Sequence, residues 1–202
     1  MKCSAKGAAR EFFASLILPR SFYARPTVEV ARGLLGKVLV HDLGRGTPLA
    51  GRIVETEAYL GSGDRAAHAW RGVTPRTRVL FGPPGHAYVY LIYWMYECLN
   101  IVAEAEGVAG CALIRAVEPT SGIGAAETNG PGKLARALRI TRRFNGTDLT
   151  LGPLTVREPE EPGEFEIGVS PRIGITHCAD LPLRFFVRGS TSLSRKERRM
   201  LY

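Results

Sequence analysis

The sequence has none of the long apolar segments that place proteins in a membrane. No uninterrupted apolar run in its 202 residues reaches the roughly 18 to 20 residues that a membrane-spanning helix needs. The N-terminal segment is interrupted by Arg10, Glu11 and Arg20, so it also lacks the apolar stretch of a signal peptide. We therefore expect an intracellular protein with no membrane partner.

Cysteine is also scarce, and its spacing excludes the common cysteine-based sites. The four cysteines are Cys3, Cys98, Cys111 and Cys178. None forms a C-x-x-C pair, and no histidine lies at zinc-ligand spacing from another ligand. A disulfide framework is unusual in an intracellular chain of this length. We expect ordinary buried thiols, no metal and no cofactor.

Basic residues are in excess. The chain has 27 Lys and Arg against 19 Asp and Glu, which gives a formal net charge of +8 and an isoelectric point near 9.6. This balance favours a polyanionic partner, which could be DNA, RNA or an anionic membrane surface.

Hydrophobic periodicity and turn residues predict one α+β domain. It spans residues 18–202 and consists of a mostly antiparallel sheet with flanking helices and a protruding hairpin. Residues 1–17 are predicted to form a loosely held arm, and Thr27 is predicted to cap the first helix. The predicted helices are 27–35 and 133–140. The predicted strands are 38–40, 49–60, two within 86–103, 110–117, 172–176 and 183–188.

The strand 52–60 carries two carboxylates on one face. Strict alternation places Ile53, Glu55, Glu57 and Tyr59 together and leaves a largely apolar opposite face for the core. Such a pair could simply bind an arginine on an exposed surface. It could instead line a cleft in which one carboxylate acts as a general base beside the tyrosine ring. The pattern alone does not choose between Glu55 and Glu57.

Aromatic residues are concentrated in the segment 88–96. Its five large rings exceed what a small core usually absorbs, and four of them carry hydroxyls that need partners if buried. Exposed rings can stack on bases, and a ring at a hairpin tip can wedge into the minor groove. Together with the positive charge, this favours nucleic acid over a membrane, for which an amphipathic basic helix would be more typical.

Two arginine patterns stand out. The run T-P-R-T-R at 74–78 suggests a phosphate clamp that contains Arg76 and Arg78. Arg115 lies inside an apolar strand, where an unpaired charge is very costly. It therefore requires an anion nearby, and the candidates are Glu57, Glu55 or a ligand phosphate.

Several motifs resemble, in the same order, those of the alkyladenine (3-methyladenine) DNA glycosylase family of the human type. They extend from about residue 18 to residue 192. They are GRIVETEAYLG at 51–61, His68, TPRTR at 74–78, Y-V-Y-L-I-Y-x-M-Y-x-C-L-N at 88–100, LIRAVEP at 113–119, NGPGKL at 129–134 and PLRFFVRGS at 182–190.

The resemblance implies a single domain that inserts a hairpin into the minor groove, flips a damaged purine nucleotide into a pocket and hydrolyses its N-glycosidic bond. The implied catalytic base is Glu57, two residues before the pocket tyrosine, with Arg115 helping to hold the attacking water. The side chains implied to surround the flipped base are Tyr59, His68 and Tyr90, with Asn100 disfavouring guanine.

The resemblance also implies contacts with DNA. Tyr93 occupies the position that intercalates, and Arg76, Arg78 and Lys133 are expected to contact the DNA backbone. One departure concerns Trp94, because the family usually has glycine there. If that glycine has a positive φ, Trp94 is strained, and it alters the hairpin tip or adds a second ring to the DNA contact.

The predicted activity is that of a monofunctional base-excision-repair glycosylase. It would act as a monomer on damaged purines in double-stranded DNA and leave an abasic site. The alternative is a catalytically silent DNA-binding protein that uses the aromatic hairpin. A zinc deaminase is disfavoured because H-x-E and P-C-x-x-C are absent, and a methyltransferase because no suitable glycine-rich cofactor loop is present.

Overall fold

A curved antiparallel sheet of eight strands forms the centre of the computed structural model, which describes residues 16–195. Six strands follow one another in the order β3-β4-β5-β2-β1-β6, while β8 pairs with both β2 and β7. The strands are β1 (Val38–His41), β2 (Leu49–Leu60), β3 (Ala87–Ile92), β4 (Tyr96–Val102), β5 (Gly110–Ser121), β6 (Leu154–Arg157), β7 (Ile167–Ser170) and β8 (Arg184–Val187).

Short helices flank this sheet, so the predicted α+β class is confirmed. The α-helices are α1 (Arg20–Tyr23), α2 (Thr27–Gly33) and α3 (Pro131–Ala137), and there are 3-10 helices at His68–Arg71, Arg78–Phe81 and Arg142–Phe144. The prediction that Thr27 caps α2 is wrong. Pro26 holds the cap position, and the Glu104 carboxylate accepts hydrogen bonds from the Thr27 N–H at 2.6 Å and hydroxyl at 2.7 Å.

Strand β2 is the most enclosed strand of the sheet. It pairs with β5 along most of its length, with β1 at its start and with β8 opposite Glu55–Glu57. Every side chain from Ile53 to Ala58 is buried, and the register shifts on both sides of Glu55. The apolar face packs on the core as predicted. The carboxylate face is buried as well, and it is not an exposed surface.

The last third of the chain departs most from prediction. Residues 172–176 do not form a strand, because Gly174 has a φ of 75° and the preceding strand ends before Pro171. Strands β6 and β7, which the sequence pattern did not indicate, have four residues each. Such short strands carry too few alternating positions to stand out from loops.

The chain enters the sheet earlier than the predicted arm boundary suggests. Leu16 and Ile17 lie against β6: the Leu16 carbonyl accepts a hydrogen bond from Glu158 at 2.9 Å, and Ile17 pairs with Arg157. The rest of the predicted arm lies outside the described residues. Within residues 16–195, no helix combines the length and apolarity that crossing a membrane requires.

Strands β3 and β4 form the aromatic hairpin, with the tight connection that the sequence predicts. The Met95 N–H donates to the Ile92 carbonyl at 3.1 Å and closes the turn. Tyr93 and Trp94 both have positive φ, at 50° and 59°. Their side chains are 78% and 92% exposed, so the turn presents two aromatic rings to solvent.

Candidate active site

A buried polar cluster lies where β2 meets β5 and β8. Its members are Glu55, Glu57, Arg115, Arg184 and Ser194. Both carboxylates are fully buried, and the Arg115 guanidinium joins them, donating to Glu55 at 3.1 Å and to Glu57 at 3.2 Å. The expectation that Arg115 needs an anion nearby is therefore confirmed, and both candidate carboxylates fill that role.

Glu55 accepts four hydrogen bonds from three residues. Its Oε1 accepts from Arg115, Arg184 and the Ser194 hydroxyl, and its Oε2 accepts from the Ser194 N–H at 2.6 Å. An ionised carboxylate offers about four acceptor sites. Three of the four donors converge on Oε1, so Oε2 has only the Ser194 N–H as a donor. Of the three donor residues, only Arg115 lines the cavity described below.

Glu57 has one acceptor site fewer in use. Its Oε2 accepts from the Tyr59 hydroxyl at 2.9 Å and from Arg115, whereas its Oε1 accepts only from the Ile173 N–H at 2.7 Å. By the same count of about four sites, Oε1 retains a free lone pair. Glu55 Oε2 also has a single donor, so the count of donors alone does not separate the two carboxylates. What separates them is position: all three donors to Glu57 line the cavity described below, whereas Arg184 and Ser194, which bind Glu55, do not.

The environment of Glu57 also makes it a stronger base. Burial raises the pKa of the Glu57 carboxyl, although Arg115 and the hydrogen bonds from Ile173 and Tyr59 act in the opposite direction. Its neighbour Glu55 adds to the increase through charge repulsion. A base with a raised pKa accepts a proton more readily near neutral pH.

A cavity of about 220 Å³ opens beside this carboxylate. All three hydrogen-bond donors to Glu57 line the cavity wall, while Glu57 lies just behind them. The volume lies below the roughly 300–1,000 Å³ of typical drug-sized ligand pockets, so a planar base fits the space better than a whole nucleotide. Its wall includes Tyr59, His68, Tyr88, Tyr90, Asn100 and Arg115.

His68 and two tyrosines form the aromatic side of the cavity. The His68 ring meets Tyr90 edge-to-face at 4.6 Å, and its Nδ1 lies 3.0 Å from the Tyr88 hydroxyl. Burial, with a further contribution from the Arg76 charge, lowers the pKa of His68 to about 4. Since Arg76 can only donate to Nε2, the neutral ring carries its proton on Nδ1.

Asn100 and two cysteines, Cys98 and Cys111, also line the cavity. The Asn100 amide donates to the Tyr88 carbonyl at 3.2 Å and accepts a weak bond from the Cys111 thiol at 3.8 Å. Burial raises the pKa of Cys98 to about 11 and that of Cys111 to about 12, so both are neutral thiols. They are buried as predicted, whereas Cys178 is half-exposed and Cys3 lies outside the described residues.

A second buried ion pair fixes the loop that contacts Glu57. Arg172 donates to both oxygens of Asp64, at 2.6 and 2.9 Å, and to the Ala58 carbonyl, while its guanidinium lies 4.7 Å from the centre of the Tyr59 ring. Ile173 follows directly and points its N–H at Glu57. Sequence reasoning missed this pair, because its members are 108 residues apart and neither belongs to a local pattern.

The residues expected to contact DNA lie outside the cavity or at its rim. Arg76 is exposed and does not line the cavity, but its Nε lies 3.3 Å from the hydroxyl of Tyr88, which does. Arg78 and Lys133 are exposed, and Lys133 lies 3.3 Å from Glu127. Tyr93 stands at the hairpin tip. Tyr88 is the pocket residue that the sequence interpretation assigned only to the hairpin.

Comparisons with known proteins identify the family to which the chain is similar. A family model described as methylpurine-DNA glycosylase matches residues 21–191. A protein of Methanoculleus marisnigri is 49% identical over 195 residues, covering 90% of this chain and 100% of the relative. Proteins of Legionella pneumophila and Chlorobaculum parvum are 49% and 47% identical, each over 88% of this chain and over 98% and 90% of the relative. All three carry the provisional name 3-methyladenine DNA glycosylase.

Proposed function

Because the chain belongs to the methylpurine-DNA glycosylase family, we propose that Glu57 activates the water with which this enzyme removes damaged purines from duplex DNA. The protein is a 3-methyladenine DNA glycosylase of base excision repair, a hydrolase of the N-glycosidic bond. The observation that carries the assignment of the base is that all three hydrogen-bond donors to Glu57 line the base-sized cavity, while its Oε1 retains a free lone pair.

The chemistry needs few groups. The sugar–purine bond breaks through an oxocarbenium-like state. An alkylated purine such as 3-methyladenine is already cationic, so it leaves without strong acid assistance. The ionised Glu57 takes a proton from water and stabilises the positive sugar, while Arg115 holds both the carboxylate and the water. The reaction leaves an abasic site, and it involves no lysine Schiff base.

Recognition of the base depends on the cavity wall. Tyr59, His68 and Tyr90 supply planar faces and edges against which a flipped purine stacks. A neutral His68 next to Arg76 tolerates a cationic base better than a charged imidazolium would. Asn100 lines the same cavity, where its side chain crowds the 2-amino group that distinguishes guanine.

The hairpin serves the extrusion step. Flipping a nucleotide costs a few kcal/mol and leaves a gap in the stack. Tyr93, 78% exposed at the tip of the hairpin whose strands carry Tyr88 and Asn100, fills that gap. Arg78 and Lys133 contact the phosphates as exposed cations, and Arg76 does so from the rim of the pocket.

Paired substitutions on β2 test the assignment of the base. Glu57→Gln keeps the size of the side chain and is expected to lower single-turnover release of 3-methyladenine from methylated duplex by about 10²- to 10⁴-fold. It should still bind lesion DNA. Because a base must be ionised, the wild-type rate falls as pH drops through the raised pKa of Glu57, and Glu57→Gln should lose this acidic limb.

Glu55→Gln is the matched control, since Glu55 is equally buried on the same strand and also binds Arg115. It should slow excision less and keep the acidic limb. If the limb disappears in Glu55→Gln and survives in Glu57→Gln, Glu55 is the base. If the wild-type protein binds duplex DNA but releases no base, the silent-binder alternative holds.

A further inference from the structure

The C-terminal segment of the described chain reaches the buried polar cluster. Leu193 packs in the hydrophobic core, and the Arg195 carbonyl accepts a hydrogen bond from Arg184 at 3.0 Å. Between them, Ser194 contacts Glu55 through both its N–H and its hydroxyl, at 2.6 and 2.7 Å. A segment 139 residues from β2 in the sequence is thus built into the wall behind the cavity.

The Ser194 hydroxyl occupies one edge of the Arg115 guanidinium. It accepts hydrogen bonds from Nε and Nη2 of Arg115, each at 3.2 Å, and it donates to Glu55. The remaining nitrogen of the planar fork, Nη1, is the one that binds Glu57. A guanidinium held along one edge can present its third nitrogen in only one direction.

From this arrangement we propose that Ser194 is a positioning residue, which aims Arg115 at the catalytic carboxylate and the water beside it. The inference rests on the proposed function, because it assumes that Glu57 is the base. Ser194 does not line the cavity, so it acts through Arg115 and not by touching the substrate. This distinguishes it from a residue that binds the base.

The contacts of Glu55 explain why the Ser194 hydroxyl matters. If this hydroxyl is removed, Glu55 Oε1 loses one donor, and Nε and Nη2 of Arg115 lose the acceptor that they share. The guanidinium is then free to rotate toward a two-point contact with Glu55, which Arg and carboxylate pairs commonly adopt. Such a rotation moves Nη1 away from Glu57. Misplacing a catalytic group by about 1 Å can cost around a hundredfold in rate.

The same rotation changes the acid–base behaviour of Glu57. Arg115 lowers the pKa of the Glu57 carboxyl against the larger effect of burial. A guanidinium that turns away therefore lets that pKa rise further. The charged and titratable groups that face Glu57 from the surrounding elements are Arg115 on β5, Glu55 and Tyr59 on β2, Arg184 on β8 and Arg172 in the loop after β7.

The test is single-turnover excision from 3-methyladenine-containing duplex, measured across pH for Ser194→Ala and Ser194→Thr. Ser194→Ala keeps the backbone N–H on Glu55 and should lower the maximal rate by roughly 10- to 100-fold, with unchanged affinity for lesion DNA. Its acidic limb should move to higher pH. Ser194→Thr restores a hydroxyl and should recover both the rate and the limb.

Ser192→Ala is the control, because Ser192 lies two residues away and its side chain contacts neither Glu55 nor Arg115. It should behave as wild type. A Ser194→Ala enzyme that keeps the wild-type rate and limb, or that loses rate only through lower stability with an unshifted limb, overturns the proposal. Glu57→Gln is measured in parallel: if it retains excision, the assignment of the base fails, which is a separate outcome.

Discussion

The buried polar cluster and the hairpin tip reverse the usual distribution of side chains in opposite ways. In the first, charged groups lie in the interior, with Glu55 and Glu57 fully buried. In the second, apolar rings lie in solvent, with Trp94 92% exposed. Both arrangements oppose stability, since buried charges lose hydration and exposed rings gain nothing from burial.

The two regions differ in how the fold compensates. Every carboxylate oxygen of the cluster has at least one donor, and those donors come from several parts of the chain. The tip has one closing hydrogen bond and two residues with positive φ. Many partners therefore hold the interior site in place, whereas the tip presents two rings that no part of the described chain covers.

Removing the anion of the second ion pair should have the largest effect on stability. Asp64→Asn leaves the fully buried Arg172 side chain without a counter-charge and is expected to lower the free energy of unfolding by about 3–5 kcal/mol. Urea denaturation at neutral pH measures this. The exposed pair Glu166–Arg188 supplies the control, and Glu166→Gln should cost at most about 1 kcal/mol.

The pH dependence sharpens the same test. Burial acts to raise the pKa of Asp64, but the hydrogen bonds and charge of Arg172, together with the Ala66 and Leu60 N–H groups, hold it below its usual value. A carboxyl with a lowered folded pKa contributes stability that is complete above its unfolded pKa, about 3.9, and is lost as pH falls through the folded value. The difference in unfolding free energy between wild type and Asp64→Asn should therefore become smaller below about pH 4. If this difference is already small at neutral pH, the ion pair does not hold the interior site in place.

Sequence patterns predicted the regions that depend on local order. Strand β2 has the bounds that alternation and turn residues indicate, and the hairpin turn lies where two strands fit into 86–103. Both signals are carried by neighbouring residues. The contrast between Glu55 and Glu57 is not local, because every donor except the Tyr59 hydroxyl lies 58 to 139 residues away. Only the family resemblance selected Glu57 before the donors were known.

The other features that the sequence did not predict also lack a local signal. Asp64, Arg172 and Ser194 acquire their roles through tertiary contacts that no short window of sequence contains. Strands β6 and β7 are too short for periodicity to reveal. The family usually has glycine at the position of Trp94, and the structure gives Trp94 a φ of 59°. The condition under which the sequence predicts backbone strain at Trp94, a positive φ, is therefore met.

Removing the Tyr93 ring from the hairpin tip should weaken DNA binding and leave the free energy of unfolding unchanged. Tyr93→Ala deletes a side chain that is 78% exposed, so its unfolding free energy should match wild type. Loss of stacking on a base is worth about 1–3 kcal/mol, or about 5- to 150-fold in affinity for a lesion duplex. Fluorescence anisotropy with labelled duplex measures this. Leu151→Ala is the control, because Leu151 is also exposed and its removal deletes apolar surface elsewhere. If Leu151→Ala lowers the affinity for lesion duplex as much as Tyr93→Ala does, the tip binds DNA no differently from any other apolar surface.

Relieving the strained backbone should have the smallest effect and the opposite sign. A bulky residue in the left-handed region costs roughly 1–2 kcal/mol, and the exposed Trp94 ring has little packing to offset that cost. Trp94→Gly should therefore raise the free energy of unfolding by about 1 kcal/mol while weakening binding to lesion duplex. Met95→Gly is the matched control, because Met95 is a neighbouring exposed residue without positive φ. Glycine at that position should slightly lower the free energy of unfolding. If both glycine variants lose stability in urea denaturation, the tip is not strained, and its rings contribute to the fold as the interior residues do.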